Sequence, residues 1–431
     1  MRAAGPEPIP DGPRGTGLEP EANFQGSPRR RCAAATSNEE PKPLNPTGGP
    51  LAGLRVVELA GIGPAPMCGM LLADLGADVV RVDRLADSGL GLALGPKHDV
   101  NARGRRSIAL DLKAPEGREA VLRLADGADV LIEGFRPGVA ERLGLGPADC
   151  QARNTRLVYG RMTGFGQEGP LAAAAGHDLN YIALTGALDA IGPAGGPPLP
   201  PLNLVGDYGG GALYLAFGIL AALYERQGSG RGQVVDAAMV DGAASLMSIF
   251  YGLKAAGAWG QGRGQNLLDG GAPFYACYET ADDRWVSIAA LEPKFFAELA
   301  RRIGLPERFV QRQHDRRLWP EMREAIASII RGRSREAWCA ELEGTDACFA
   351  PVLSMDEAPR HPHAAARGAF VEVGGIVQPG PAPRFDRSRP ATPRPAPAIG
   401  QHGPELLAEA GYSDADIADL LARGIVAPVP G

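Results

Sequence analysis

The sequence predicts an α/β fold built on a parallel sheet, and three observations predict it. Short β-branched runs alternate with stretches of helical spacing over residues 54–135, a rhythm that makes the joined strands lie parallel. Basic residues recur near the ends of those strands, where sheets of this kind bind their ligands. At 431 residues the chain exceeds what one core usually holds, so about two domains are expected.

Residues 1–50 carry Pro, Gly and charge with almost no apolar period, and are expected to be a disordered extension. They lack the apolar stretch of a secretory signal, fit a mitochondrial presequence poorly, and the C-terminal "APVPG" is no peroxisomal address. Order is expected from residue 51. "LRVVEL" (54–59) is a strand, "PAPMCGMLLADLGA" (64–77) a helix opened by Pro and closed by Gly, and "DVVRVD" (78–83) a second strand. "SIALDL" (107–112), "PEGREAVLRLADGA" (115–128) and "DVLIEGF" (129–135) repeat the pattern. "GIGPAP" (61–66) sits where a dinucleotide-binding loop places its glycines, and Asp83 where its ribose-binding acid belongs, but Pro66 replaces the third glycine. A tight strand-to-helix turn is the stronger reading.

The basic group comprises Arg84, Arg103, Arg105, Arg106, Lys113 and Arg136. It fits either an anion site for a phosphorylated ligand or a solvated rim. Further on, "GGGALYLAFGILAALYERQ" (209–227) and "DGAASLMSIFYGLKAAG" (241–257) are apolar on nearly every face, which suits a core or an oligomer interface. No apolar run is expected to reach the ~18 residues of a membrane span.

Composition narrows the function. Apolar residues make up 45% and charged residues 22%, ordinary for a globular protein, and a net charge of −6 argues against binding driven by nucleic-acid phosphates. The six cysteines are scattered without a C-x-x-C pair, as in a reduced, cytoplasmic protein with no metal site of that kind.

"AGHDLNYIALTG" (175–186) places His177 beside Asp178 in a chain with only six histidines. A lone His in an apolar stretch is commonly structural, but a positioned imidazole both accepts and returns protons near neutrality. Asp207, in "NLVGDYGGG", reads either as a helix N-cap or as a carboxylate working beside free N–H groups that stabilise an anion such as an enolate oxygen. Asp178 also precedes a helical run and fits a cap.

"GHDLNY", "NLVGDYGGG", "GQNLLDGGAPFY", "LEPKFF" and "GTDACFAPVL", with the opening "VVELAGIGPAPMCGMLLADLGADVVRVDR", occur in this order over residues 51–423. Together they resemble the α-methylacyl-CoA racemases of the type III CoA-transferase superfamily. The resemblance implies a Rossmann-like large domain, a smaller α/β domain and an interlocked homodimer. It places the large domain at 51–240 with a C-terminal return over 371–431, a linker helix at 241–268 and the small domain at 269–370. It implies inversion at C2 of a 2-methylacyl-CoA by proton removal to an enolate and return on the opposite face, with no metal or redox cofactor, CoA being part of the substrate. The proton carriers it implies are His177, with Glu292 beside it, and Asp207 on the other face, whose carboxyl needs a raised pKa. Arg84, Leu110, Asp111, Leu112, Lys113 and Arg136 would meet the CoA nucleotide, while Gly176, Asp178, Leu179, Asn180 and Tyr181 lie along the thioester. Glu292 precedes a Pro and also suits a first-turn helix carboxylate.

Two rivals remain. In CoA-transferases of the superfamily the carboxylate matching Asp178 attacks the thioester and forms an acyl anhydride, but those enzymes generally lack the preceding His. A non-catalytic acyl-CoA-binding protein would be expected to have lost His177 or Asp207.

Overall fold

The computed structural model describes residues 48–86, 89 and 95–430. The expected extension lies outside the described residues up to position 47. Order begins slightly earlier than expected: Gly49 is buried, and a Cβ there would lie 2.3 Å from the Leu75 carbonyl oxygen.

β1 (Arg55–Leu59), α1 (Pro64–Asp74) and β2 (Asp78–Arg84) form the first βαβ unit, followed by β3 (Arg106–Leu110), α2 (Pro115–Asp126) and β4 (Val130–Glu133). α3 (Val139–Arg142) and α4 (Pro147–Arg153) lead to β5 (Val158–Thr163). After α5 (Asp178–Ala183) and α6 (Ala187–Ala190), a wide π-helical segment, Leu204–Ala212, runs straight into α7 (Leu213–Ser229), and β6 (Val234–Ala238) closes the sheet. All six strands are parallel, in the order β3-β2-β1-β4-β5-β6. The order reverses between β1 and β4, which places a ligand crevice beyond their C-terminal ends.

Both faces of the sheet are covered, so its strands are continuous apolar runs. Val57, Leu59, Val80 and Ile108 face one way, onto Val121 and Leu124 of α2. Val56, Val79, Val130 and Val158 face the other, onto Leu72 of α1 and Leu215 and Ile219 of α7.

The two long apolar stretches depart from expectation. The first begins at Leu204, and its 26 residues are long and apolar enough to cross a membrane by length and composition alone. Only one side is buried: Leu215 and Ile219 pack on the sheet, while Phe217 is 70% and Tyr224 77% exposed. The second is two helices, α8 (Met239–Leu246) and α9 (Ser248–Ala255), and α9 has no buried residue. Gly210 and Gly242 let α8 cross the wide segment at backbone distance; a Cβ on Gly242 would lie 1.9 Å from the Gly210 carbonyl oxygen.

A second core gathers around an antiparallel sheet of β7 (Tyr275–Glu279), β8 (Trp285–Ala289) and β9 (Phe349–Pro351). Its helices are α10 (Pro293–Ile303), α11 (Glu307–Val310), α12 (Trp319–Arg331) and α13 (Arg335–Leu342). Phe274 packs at its centre between Phe296 and Trp319. Beyond α14 (Pro362–Arg367) and the hairpin of β10 (Phe370–Val373) and β11 (Ile376–Pro379), the chain returns to the first sheet. Gly104 donates to the Arg394 carbonyl and Gly400 to the Ser107 hydroxyl. Leu406 and Leu407 of α15 (Gly403–Glu409) and Ile417 and Leu420 of α16 (Asp414–Ala422) then join the core of Val57 and Ile108.

Candidate active site

His177 and Asp178 stand side by side and turn apart. His177 caps α5 through its backbone: its N–H donates to Asn180 Oδ1 at 3.0 Å, and its carbonyl accepts the Asn180 N–H at 2.8 Å. The imidazole takes no part in this cap and is exposed. Asp178 is 6% exposed and points inward, where its Oδ2 accepts the N–H groups of Gly206 and Asp207, each at 2.7 Å. Gly206 is required for this approach, since a Cβ there would lie 2.6 Å from that oxygen.

Asp207 is therefore no N-cap. Asn203 takes that place, and the Asp207 amide, expected to be free, is held by Asp178. The carboxyl is half-buried. Its Oδ2 accepts from Asn203 Nδ2 at 3.1 Å, and a Cβ at Gly63, the positive-φ residue ahead of α1, would lie 3.5 Å from it. Burial raises its pKa, with help from the Asp178 charge and against the Asn203 bond and His177. A carboxyl with raised proton affinity thus shares an electrostatic field with an exposed imidazole, which suits two-residue proton transfer.

Tyr181 fixes the floor. Its hydroxyl donates to the Gly176 carbonyl, and its ring meets Phe165 edge-on with centroids 4.9 Å apart. A Cβ at Gly164 or Gly176 would lie 2.2 or 2.8 Å from that ring. Burial and the Asp207 and Asp178 charges push the phenol up to about 12, against Arg136. Asn203, Gly206, Gly164 and Phe165 escaped the sequence reading. Asn203 alone left a signal, lying four residues before Asp207 where helical side chains become neighbours.

At the reversal of strand order, a crevice of about 160 Å³ is lined by Gly61, Ile62, Arg84, Gly134, Phe135 and Ile399, among others. The Arg84 guanidinium lies 5.8 Å from the centre of the Phe135 ring. The six basic residues divide into two groups. Arg103 pairs with Asp74, Arg105 with Glu58, and Arg106 with Asp78, Glu405 and Glu409, so these three are structural. Arg84, Lys113 and Arg136 are exposed and have no carboxylate partner among the described residues.

One further expectation changes, and the reading of 61–66 as a tight turn is consistent with where Asp83 lies. Leu110 is 1% exposed in the core, with its backbone bridged to Val426, so its side chain cannot meet a ligand. Leu112 is partly buried on that core, and Asp111 accepts the Lys113 N–H. Asp83 is not free for a ribose: it accepts from the Ser107 hydroxyl at 2.6 Å and pairs with Arg81.

Glu292 caps α10 in the second core and is exposed. Burial raises the affinity of the Cys348 thiol for its proton, and the Glu292 charge adds to it. No hydrogen bond or ion pair joins it to His177 or Asp207 among the described residues. Leu179 and Asn180 are exposed beside His177.

A family model described as CoA-transferase family III matches residues 51–403. The chain is 46% identical over 379 residues to an alpha-methylacyl-CoA racemase of Mus musculus, covering 87% of this chain and 97% of that protein. It is 44% identical to the Homo sapiens protein of the same name, with the same coverage. A succinyl-CoA–D-citramalate CoA-transferase of Chloroflexus aurantiacus is 32% identical over 88% of this chain and 98% of its own. Among solved structures, a CAIB/BAIF family protein from Brucella suis superimposes with a TM-score of 0.73 at 28% identity, covering 84% of this chain and all of that one. The six-stranded parallel sheet, the motifs along it and these relatives agree, and the chain belongs to CoA-transferase family III.

Proposed function

We propose that the protein is a racemase that interconverts (R)- and (S)-2-methylacyl-CoA thioesters by a 1,1-proton transfer. The identity of 44–46% to racemases over most of the chain supports this. The observation that carries it is the bond from the Asp207 N–H to Asp178 at 2.7 Å, which ties the residue next to the exposed His177 to a half-buried carboxyl, whose proton affinity burial raises. In one direction the neutral imidazole takes the C2 proton and the Asp207 carboxylic acid returns one to the opposite face; in the other the roles exchange. The thioester carbonyl takes up the charge as an enolate, so the reaction calls for no separate electron sink. The amides of Asp178 and Leu179, first in their helix and without a carbonyl four residues back inside it, are suited to that oxygen. Arg84, Lys113 and Arg136 are suited to the phosphates of CoA.

The working form in this reading is an interlocked homodimer in which the Glu292 of a second copy orients His177. Support comes from the exposed apolar side chains of Leu213, Phe217 and Tyr224 along α7 and of Ile249 and Tyr251 on α9.

The test is incubation of one enantiomer of a 2-methylacyl-CoA in deuterium oxide, followed by chiral analysis and mass spectrometry, with His177→Ala alongside. Inversion with deuterium gained at C2, lost in the variant, is expected. Transfer of CoA to an added carboxylic acid without exchange at C2 would instead make Asp178 a nucleophile and the protein a transferase.

A further inference from the structure

Beneath the α1 turn lies a charge pair taken wholly out of water. Arg105 Nε donates to Glu58 Oε2 at 2.7 Å, and both side chains are 0% exposed. Such a pair recovers its desolvation cost through the bonds its other polar groups make; Glu58 Oε1 is buried without a hydrogen-bond partner among the described residues, and the remaining bonds come from the guanidinium. Arg105 Nη1 donates to the Asn101 carbonyl and Nη2 to the Pro66 carbonyl, in the first turn of α1. Asn101 Nδ2 in turn donates to the Tyr208 hydroxyl at 3.1 Å. Tyr208 follows Asp207 directly, and the α1 turn opens at Gly63, which walls the Asp207 carboxyl. One guanidinium therefore ties α1 to the 100–102 turn, and the Asn101 side chain carries that tie on to the residue after Asp207.

We propose that Asn101, acting through Tyr208, is a positioning residue for proton transfer. Its hydrogen bond latches the 100–102 turn, tied by Arg105 to α1, against the segment that carries Asp207, and so keeps water from that carboxyl. The proposal rests on Asp207 being a proton carrier. The charged and titratable groups facing Asp207 are Asp178 and Tyr181 from α5 and His177 ahead of it. Gly63, ahead of α1, approaches the carboxyl, and Asp99, ahead of Asn101, is paired with Arg81. With the latch open, water reaches the carboxyl and relieves the burial that raises its proton affinity.

The experiment compares Asn101→Leu, Tyr208→Phe and the double variant with the full-length chain over a range of pH. Loss of the latch is expected to lower kcat about five- to tenfold and leave KM within about twofold. The acid limb of kcat/KM should fall by about half a pH unit with the alkaline limb unmoved. The double variant should be no worse than either single one, because both remove the same bond. An unmoved acid limb, or losses that multiply in the double variant, overturns the proposal. Tyr208→Phe, which removes one oxygen, gives the answer if Asn101→Leu does not fold. Asp207→Asn in the same assay separates the two failures: full turnover there removes Asp207 as a proton carrier and the latch with it, whereas a dead Asp207→Asn beside unmoved limbs removes the latch alone.

Discussion

The Asp207 N–H donates to the carboxylate of Asp178 at 2.7 Å, so the residue next to the histidine on one loop sets the backbone of the carboxyl group on another. Asp178→Ala strands that amide and the one from Gly206. Stability should fall by about 2–3 kcal/mol in urea titration, and racemisation by at least about tenfold, as Asp207 shifts.

Asp178→Asn keeps an acceptor for both amides but removes the negative charge that adds to Asp207's raised proton affinity. The pair works with one proton between its two members, so activity is lost on acidification when Asp207 takes a second. With its folded-state pKa lowered by the substitution, the acid limb of the rate profile should move to lower pH. An unchanged limb would mean that another group controls it.

Replacing Asp207 by Asn should separate exchange from inversion. One enantiomer still presents its C2 proton to His177 and should gain deuterium with retained configuration. The other should neither exchange nor invert, as read by chiral mass analysis after incubation in deuterium oxide.

Arg84→Ala, Lys113→Ala and Arg136→Ala should each raise KM for acyl-CoA with a smaller effect on kcat, by about 1–2 kcal/mol at low salt and less at high salt. Arg103→Ala should behave otherwise. Its guanidinium is buried against Asp74 and Gln378, so the loss should be about 3–5 kcal/mol of folding stability, while KM in the surviving folded protein stays near the wild-type value.

Phe217→Glu places a charge in the middle of the exposed apolar face of α7. Light scattering should show a smaller species than for the wild type, with activity falling alongside. A wild-type monomer that is fully active would remove the dimer from the proposed function.

The strands and helices of the parallel sheet were legible because burial on both faces leaves continuous β-branched runs, and Pro and Gly mark the ends of α1. The arginines were not. Arg103 and Arg105 look like Arg84 in sequence, and only folding reveals Asp74 and Glu58 as their partners. The start of the long helix was hidden by "GDYGGG", whose glycines look like helix breakers, but Gly206 admits Asp178 and the last three serve the close crossing with α8. His177 and Asp207 could be singled out from residue chemistry; Asp178's inward turn could not, because its partners lie 28 and 29 residues away. Glu292 came from the family resemblance alone.

The return of α15 and α16 to the first sheet has a bearing on how the chain is made. Leu406 and Leu420 complete the same core as Val57, across roughly 350 residues of sequence, so this face of the sheet, covered in part by α2, stays incomplete on the ribosome until residues 403–426 have been synthesised. Contacts that distant close slowly, and a nascent sheet with part of one apolar face uncovered is prone to associate with others like it. The second core, local between residues 272 and 347, can form meanwhile, while the sheet that carries His177 and Asp207 is the last part to be finished.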